Sequence, residues 1–347
     1  MAFPTPPHIV PPKQAANMTL STTPFGRTGK TTTRLGFGAW AIGGTWGEVS
    51  LDDAKAALHA SLDAGVTFID TADVYGDGRS ERIIREVLAE RKGERPFVAT
   101  KAGRRLNPHT AEAYTGPAIE AFIDRSLQNL GLECLDLLQL HCPPTPVYAN
   151  PAMFEALDAI RAKGKIAAYG VSVETIAEAM TALQNPGVVS VQIIYNLFRQ
   201  RPSELFFKAA KAQNVAVIVR VPLASGLLTG KMTAQSQFAA DDHRSFNRNG
   251  EAFDKGETFS GVPYDIALQA VEELRQLVPQ GATMAEFALR WILMEDAVTV
   301  VIPGAKSPAQ AQANAKADAL APLPAATMEK AREIYARLIA PEVHGSW

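Results

Sequence analysis

The sequence contains little cysteine and almost no net charge. Its 347 residues include 2 cysteines, too few for the disulfide framework of a small secreted protein, so we expect a cytoplasmic location. The formal net charge of −2 argues against nucleic acid or an anionic membrane as a partner, because both require a basic surface. No apolar run approaches the roughly 20 residues of a membrane span. A basic segment followed by an apolar one is also lacking, so no signal peptide is predicted.

The chain is predicted to form one domain behind a short leader. Residues 1–23 are rich in proline and are predicted to be a flexible leader, and residues 24–347 are predicted to be a single domain. Gly26, Thr28 and Gly29 suit a tight turn between two short strands, which predicts an N-terminal β-hairpin.

Short apolar runs then alternate with amphipathic segments. Most of the runs are nearly continuous in valine, isoleucine and leucine, as is typical of parallel strands that are buried on both faces. Eight runs are predicted strands: 35–39, 66–70, 97–101, 136–141, 167–171, 188–194, 215–220 and 298–302. Helices are predicted between them; Ser50 caps the first, and Pro151 begins another. The pattern predicts an α/β fold, a (β/α)8 TIM barrel, with a doubly wound open sheet as the alternative.

Two segments depart from this repeat. The connection 221–282 after the seventh strand is far longer than the roughly two to six residues usual in α/β units, which predicts a long insertion. Two further helices are predicted after the eighth strand, at 308–320 and 326–339. The tail 341–347 lies either near the barrel mouth or frays, and fraying is the prediction.

The first strand carries a glycine pattern that resembles a dinucleotide-binding fingerprint. Gly36, Gly38 and Ala41 fit G-x-G-x-x-A, but that fingerprint requires a helix to begin there. Residues 42–47 are instead typical of a loop. The pattern therefore does not indicate a Rossmann fold.

Ionisable residues end three consecutive predicted strands. Asp70, Lys101 and His141 occupy these positions, and Tyr75 follows in the turn after Asp70. Catalytic groups in barrels lie at the carboxyl ends of the strands, and neighbouring strands are about 4.8 Å apart, so the four side chains can converge. A carbonyl that accepts hydride needs a proton, and a phenol with a pKa near 10 gives one reluctantly. We expect Lys101 to lower the pKa of Tyr75, Asp70 to hold Lys101, and His141 to orient the substrate oxygen.

Several segments resemble the aldo-keto reductase family, in that family's order. They are FIDTADVYG (68–76), VATKAG (98–103), LLQLHCP (137–143), YGVSVE (169–174), VQIIYN (191–196), VPLASGLLTGK (221–231) and VIPGAKSP (301–308). The resemblance implies a (β/α)8 barrel that reduces aldehydes or ketones with NADPH. It places the family's catalytic aspartate, tyrosine, lysine and histidine at Asp70, Tyr75, Lys101 and His141, with the tyrosine as proton donor.

The resemblance also implies a cofactor site. The residues concerned are Ser172 and Gln192 for the nicotinamide carboxamide, Leu223, Ser225, Gly226, Leu227 and Lys231 around the pyrophosphate, and Gly304, Lys306, Ser307, Gln310 and Asn314 at the adenosine end. Arg220 stands where the family commonly has an aromatic ring, and we expect its guanidinium to stack on the nicotinamide. NADP(H) is the predicted cofactor, because Lys306 and Ser307 can hold its 2′-phosphate at the start of a helix. Gln310 replaces a common arginine, so NAD(H) is the alternative.

The substrate side is less determined. Trp46 is predicted to form a wall of the substrate pocket, and residues 241–262 are expected to close over cofactor or substrate. The predicted function is reversible reduction of a small carbonyl compound. Two alternatives are a nucleotide-sensing regulatory protein, as potassium-channel β-subunits are within the family, and a lyase that uses Lys101 as a Schiff base. No metal is predicted, because a His-x-His pattern is lacking; the oligomeric state stays open.

Overall fold

The computed structural model describes residues 19–44 and 46–347. The predicted hairpin is present: β1 (Thr22–Pro24) pairs with β2 (Thr31–Thr33) in antiparallel fashion. The ring of Phe25, between these two strands, has its centroid 5.4 Å from that of Phe68 and 5.0 Å from that of Phe97. It covers the end of the barrel at which the strands begin. The predicted boundary of the leader at residue 24 therefore falls inside β1, and residues 1–18 of that leader lie outside the described residues.

Eight parallel strands follow one another in sequence order around the sheet. They are β3 (Phe37–Gly38), β4 (Phe68–Asp70), β5 (Phe97–Ala102), β6 (Leu137–His141), β7 (Tyr169–Ser172), β8 (Val188–Ile194), β9 (Ala216–Arg220) and β10 (Val300–Val301). The first and last strands also meet, because the amide of Gly36 donates to the carbonyl of Val301 at 2.8 Å. A Cβ on Gly38 would lie 2.5 Å from the carbonyl oxygen of Ile302, so this closure requires glycine there. The closed order confirms the barrel and excludes the open sheet.

Helices lie between and after the strands. They are α1 (Trp40–Gly43), α2 (Leu51–Asp63), α3 (Arg79–Glu90), α4 (Gly116–Leu130), α5 (Pro151–Ala162), α6 (Ile176–Ala182), α7 (Phe206–Ala212), α8 (His243–Phe246), α9 (Tyr264–Arg275), α10 (Met284–Leu293), α11 (Pro308–Lys316), α12 (Ala325–Ile334) and α13 (Ala340–Val343). Helix α2 begins as predicted, since the Ser50 hydroxyl accepts from the amide of Asp53 at 3.0 Å. The loop predicted at residues 42–47 is wrong in part, because its first two residues belong to the single turn α1.

The insertion predicted after the seventh strand is present and contains α8 and α9. The tail packs against this insertion, so the prediction that it frays is wrong. The indole of Trp347 lies 4.1 Å from the guanidinium of Arg199 and donates its N–H to Asp254 at 2.9 Å. Arg201 donates to the carbonyls of His344 and Trp347. Among the described residues, no helix is both long enough and apolar enough to cross a bilayer.

Candidate active site

Strand register places the predicted catalytic residues at one end of the barrel. Asp70 and His141 are the last residues of β4 and β6, and Lys101 is the penultimate residue of β5. The Lys101 ammonium donates to a carboxylate oxygen of Asp70, to the carbonyl of Thr71 at 2.9 Å and to the Tyr75 hydroxyl oxygen at 3.2 Å. The side chains of Lys101 and Asp70 are 1% and 3% exposed, so the ion pair is excluded from water.

The electrostatic environment of Tyr75 differs from the expectation. Burial raises the pKa of the phenol, and the ammonium of Lys101 lowers it; burial outweighs the ammonium, so the net shift is upward. The prediction of a phenol more acidic than free tyrosine is therefore wrong in net direction. Burial lowers the pKa of Lys101, but the interactions with Asp70 and Tyr75 together outweigh burial, so the net shift is upward. Lys101 stays charged and Tyr75 stays protonated near neutral pH.

His141 is a neutral imidazole beside the phenol. Burial lowers its pKa well below the ordinary value, and the positive charges of Arg104 and Lys101 lower it further. Its ring meets the ring of Tyr75 edge-on, with centroids 5.8 Å apart. A neutral imidazole donates from one nitrogen only, so His141 can present one N–H to a ligand.

Behind the ion pair lies an amide network that sequence reasoning missed in part. The second carboxylate oxygen of Asp70 accepts from the side-chain amides of Gln139 at 3.0 Å and Gln192 at 2.8 Å. Gln139 stands between leucines in strand β6, two residues before His141. A glutamine two residues before His141 in a buried strand could have indicated that Gln139 faces the site, because β-strand residues two apart point to the same side.

One cavity of about 450 Å³ opens at this end of the barrel. It is lined by the following predicted site residues: Trp46, Asp70, Tyr75, His141, Gln192, Arg220, Leu223, Ser225, Gly226, Lys231, Gly304, Lys306, Gln310 and Asn314. Four predicted residues do not line it. Lys101 is buried against Asp70, and Leu227 is fully buried in the core. Ser307 caps α11 by accepting from the amide of Gln310. The Ser172 hydroxyl accepts from the thiol of Cys142 at 3.3 Å.

The cavity wall also carries three cationic side chains. Lys231, Arg244 and Lys306 all line it, and Arg244 comes from the insertion, where no spacing pattern pointed to it. Residues 224–226 have φ angles of 47°, 54° and 98°. Successive residues with positive φ can turn neighbouring backbone N–H groups toward one point, which suits an anion. These groups fit the phosphates of a dinucleotide.

Arg220 belongs to a buried cluster of four charges, which with the thiol of Cys142 we call the Arg220 cluster. Its guanidinium lies 2.6 Å from the carboxylate of Glu174 and 3.6 Å from that of Glu257, and Arg104 lies 2.7 Å from Glu257. The sulfur of Cys142 and one oxygen from each of these two carboxylates lie within 4.8 Å of one another. Burial raises the pKa of Glu174 to about 7 despite the neighbouring Arg220. Arg220 reaches the cavity wall, where stacking on a bound ring stays a prediction.

Aromatic rings form the wall beside Tyr75. Trp40 stacks on Tyr75 with centroids 6.0 Å apart, and Trp46 meets Trp40 edge-on at 5.4 Å. The Lys306 ammonium donates to the backbone carbonyl of Trp46, which ties the loop after β3 to the residues before α11. Trp40 was not predicted, because its position depends on the turn α1.

The sequence profile of the Aldo/keto reductase family matches residues 34–336. The chain belongs to this family. It is 32% identical over 291 residues to the aldo-keto reductase YhdN of Bacillus subtilis (strain 168), covering 82% of this chain and 85% of that protein. It is 28% identical to the aldo-keto reductase yakc [NADP(+)] of Schizosaccharomyces pombe, covering 78% and 79% of the two chains. The structure of the aldo-keto reductase AKR11C1 from Bacillus halodurans, in its holo form, superposes with a TM-score of 0.73 at 25% identity, covering 91% and 96%.

These relatives confirm the resemblance seen in the sequence segments and the barrel that it implied. Its relatives include named aldo-keto reductases and oxidoreductases, so this aldo-keto reductase is an NAD(P)H-dependent oxidoreductase of a family that acts on small carbonyl compounds.

Proposed function

We propose that this aldo-keto reductase reduces a small aldehyde or ketone to an alcohol with NADPH, reversibly, and that Tyr75 donates the proton. The observation that supports the proposal is a single cavity that joins Tyr75 and His141 to the cations Lys231, Arg244 and Lys306. NADPH requires both the catalytic residues and the cations, because its reactive nicotinamide ring and its phosphates lie far apart.

The cofactor would be held along this cavity. The residues that would hold it are Gln192 and Arg220 at the nicotinamide, Leu223, Ser225, Gly226, Lys231 and Arg244 at the pyrophosphate, and Gly304, Lys306, Gln310 and Asn314 at the adenosine. Contacts from Ser172, Leu227 and Ser307, which do not line the cavity, stay predictions. When bound, the reduced cofactor supplies a hydride to the carbonyl carbon.

The protein supplies the proton and the position. Tyr75 is protonated near neutral pH and gives its proton to the developing alkoxide, whose negative charge grows as hydride arrives. Lys101, 3.2 Å from the phenol oxygen, stabilises the phenolate that remains, and Asp70 keeps that ammonium charged and in place. His141, being neutral, donates an N–H to the carbonyl oxygen and does not compete as an acid.

Preference for NADPH over NADH is part of the proposal. Lys306 and Ser307 stand before α11, where the helix dipole favours an anion such as the 2′-phosphate. The S. pombe relative carries NADP(+) in its name. Gln310, where the family commonly has an arginine, weakens the preference. We expect kcat/KM to be higher with NADPH, and Lys306→Ala to lower that ratio; a wild-type ratio in favour of NADH would contradict the preference.

The test of the reaction is a panel of aldehydes and ketones followed at the NADPH absorbance band. We expect Tyr75→Phe to lower kcat by about 10²–10⁴-fold, the range for a positioned acid, with little change in NADPH affinity. Tyr195→Phe is the matched control, since Tyr195 is a buried tyrosine that packs on Phe207 and Trp291 away from the cavity. Retained turnover in Tyr75→Phe would refute the assignment.

The alternatives give different results in the same experiment. Tight NADPH binding without turnover on any carbonyl would favour a nucleotide-sensing regulatory protein. Borohydride trapping of substrate on Lys101 would favour the lyase; the ammonium is held charged by Asp70, which disfavours a Schiff base. A cytoplasmic location, a small-molecule partner and the absence of a metal stay predictions.

We also propose that residues 241–262 cover the bound cofactor. Arg244 and Glu257 of this segment line the cavity, and Glu257 is tied to the barrel through Arg104. Limited proteolysis should cut this segment more slowly when NADPH is present. Equal cleavage with and without NADPH would contradict the proposal.

A further inference from the structure

The insertion meets the barrel through the Arg220 cluster. Glu257 comes from the insertion, whereas Glu174 follows β7 and Arg220 ends β9. The Arg220 guanidinium contacts both carboxyl groups, at 2.6 Å from Glu174 and 3.6 Å from Glu257. Arg104 also contacts both, at 3.4 Å and 2.7 Å respectively. The two acids therefore come together only when residues 254–261, which we call the docked segment, lie on the barrel.

Uncharged contacts also hold the docked segment in place. The Ser225 hydroxyl donates to the carbonyl of Glu257 at 3.1 Å and accepts from the amide of Phe259 at 3.0 Å. The side-chain amide of Asn196 donates to the hydroxyl of Ser260 at 2.9 Å. These hydroxyl and amide groups do not ionise near neutral pH, so they contribute the same attraction across that range.

The two acids of the cluster share a proton. Their carboxyl groups hydrogen-bond to each other, and two carboxylates have no hydrogen to share, so one of them is protonated in this arrangement. Burial raises the pKa of Glu174 to about 7; Arg220 opposes this rise, and the negative charge of Glu257 adds to it. Burial also disfavours ionisation of Glu257, but Arg104 and Arg220 outweigh burial and lower its pKa to about 2. The proton therefore resides on Glu174.

The other ionisable groups around Glu174 come from several elements. They are Arg104, Cys142, Tyr148, Glu178, Arg199, Arg220, Asp254 and Glu257. Burial raises the pKa of Cys142 and that of Tyr148, so both stay protonated near neutral pH. The arginines stay charged. Glu178 and Asp254 are unchanged in the variants described below, so their titration cancels when those variants are compared with the wild-type protein.

We propose that Glu174 and Glu257 form a latch that closes the insertion on the barrel with the uptake of one proton. While Glu174 is protonated, it donates to Glu257 and the docked segment stays in place. Once Glu174 has lost its proton, two buried carboxylates face each other and repel. The docked segment then leaves the barrel more often, although its uncharged contacts remain.

The pH range of the latch follows from the two states of Glu174. A glutamate exposed to water has a pKa of about 4.3, whereas that of the docked Glu174 is about 7. Between these values docking binds a proton, so its equilibrium constant falls as pH rises. Above them neither state holds the proton, and the dependence ends. We expect protection of the docked segment to fall about tenfold between pH 5.5 and pH 7.5.

The test is amide hydrogen exchange of peptides covering residues 254–261, followed by mass spectrometry at the two pH values without any nucleotide. Each rate is divided by the intrinsic exchange rate at that pH, so that only opening of the segment remains. Peptides from α2 report changes in the stability of the whole protein. Their pH dependence should be the same in the wild-type protein and in every variant.

Glu174→Gln replaces the protonated acid by an amide that donates to Glu257 at every pH. This variant should keep at pH 7.5 the protection that the wild-type protein shows only at pH 5.5. Glu257→Gln removes the negative charge that disfavours ionisation of Glu174, so the ratio of protection between the two pH values should fall below about threefold. Glu155→Gln, at an exposed position of α5, is the matched control and should behave as wild type.

The outcomes separate the latch from the proposed function. Wild-type protection that does not change with pH would overturn the latch, as would protection in Glu174→Gln at pH 7.5 no greater than that of the wild type. The consequence for the cofactor rests on the proposed function: release of NADPH, followed by its fluorescence after mixing with excess NADP+, should accelerate with pH in the wild type relative to Glu174→Gln. Failure to bind NADPH would overturn the proposed function and leave the exchange result, and the latch, in place.

Discussion

The ion pair between Lys101 and Asp70 offers the sharpest test of how this site is held together. Both side chains are almost completely buried. In Lys101→Met, the carboxylate of Asp70 loses its countercharge and keeps only the amides of Gln139 and Gln192. Breaking a buried pair in this way typically costs about 3–5 kcal/mol of folding free energy. The two remaining amide hydrogen bonds place the expected loss near the lower end, about 3 kcal/mol.

The double variant Asp70→Asn with Lys101→Met removes both charges. Its expected loss is smaller than that of Lys101→Met alone, because no uncompensated buried charge remains. Urea unfolding, followed by tryptophan fluorescence and by far-UV circular dichroism, measures the free energy of unfolding of four proteins. They are the wild-type protein, Lys101→Met, Asp70→Asn and the double variant, which together form a double-mutant cycle. We expect a coupling energy of at least about 2 kcal/mol between the two positions. Additive losses would refute the reasoning, since they would mean that the pair contributes nothing beyond its separate side chains.

Three further predictions concern Asp73, His141 and Trp347. Burial, with a smaller contribution from Glu81, raises the pKa of Asp73 to about 7. Because ionisation is then harder in the folded than in the unfolded state, stability should fall as pH rises from about 4 to 7; Asp73→Asn should flatten that fall in urea titrations, and an unchanged pH profile would contradict it. His141→Gln keeps an N–H donor and should lower kcat less than His141→Leu; equal losses would argue against hydrogen bonding by this residue. Trp347→Ala removes the bond to Asp254 and should speed amide hydrogen exchange in residues 254–261, whereas unchanged exchange there would show that the tail does not hold the insertion.

Much of the site could be predicted because local signals sufficed. Asp70, Lys101 and His141 end or nearly end apolar runs, and a parallel barrel brings the carboxyl ends of its strands together. The hydroxyl of Ser50 caps α2 through an amide three residues away. The contacts that went unpredicted join distant parts of the chain. Arg244 reaches the cavity from the insertion, and Trp347 packs on Arg199.

The amino-acid sequence by itself determined the order of strands and helices and the chemical groups at the strand ends, because hydrophobic periodicity and capping act over a few residues. Only the tertiary structure decided how those groups behave. Burial reverses the expected shift of the Tyr75 pKa, and it keeps His141 neutral. The side-chain amide of Gln192 donates to Asp70 and Gln139, which come from two other strands. Exclusion of water and contacts between strands are properties of the closed barrel, so no single stretch of the chain encodes them.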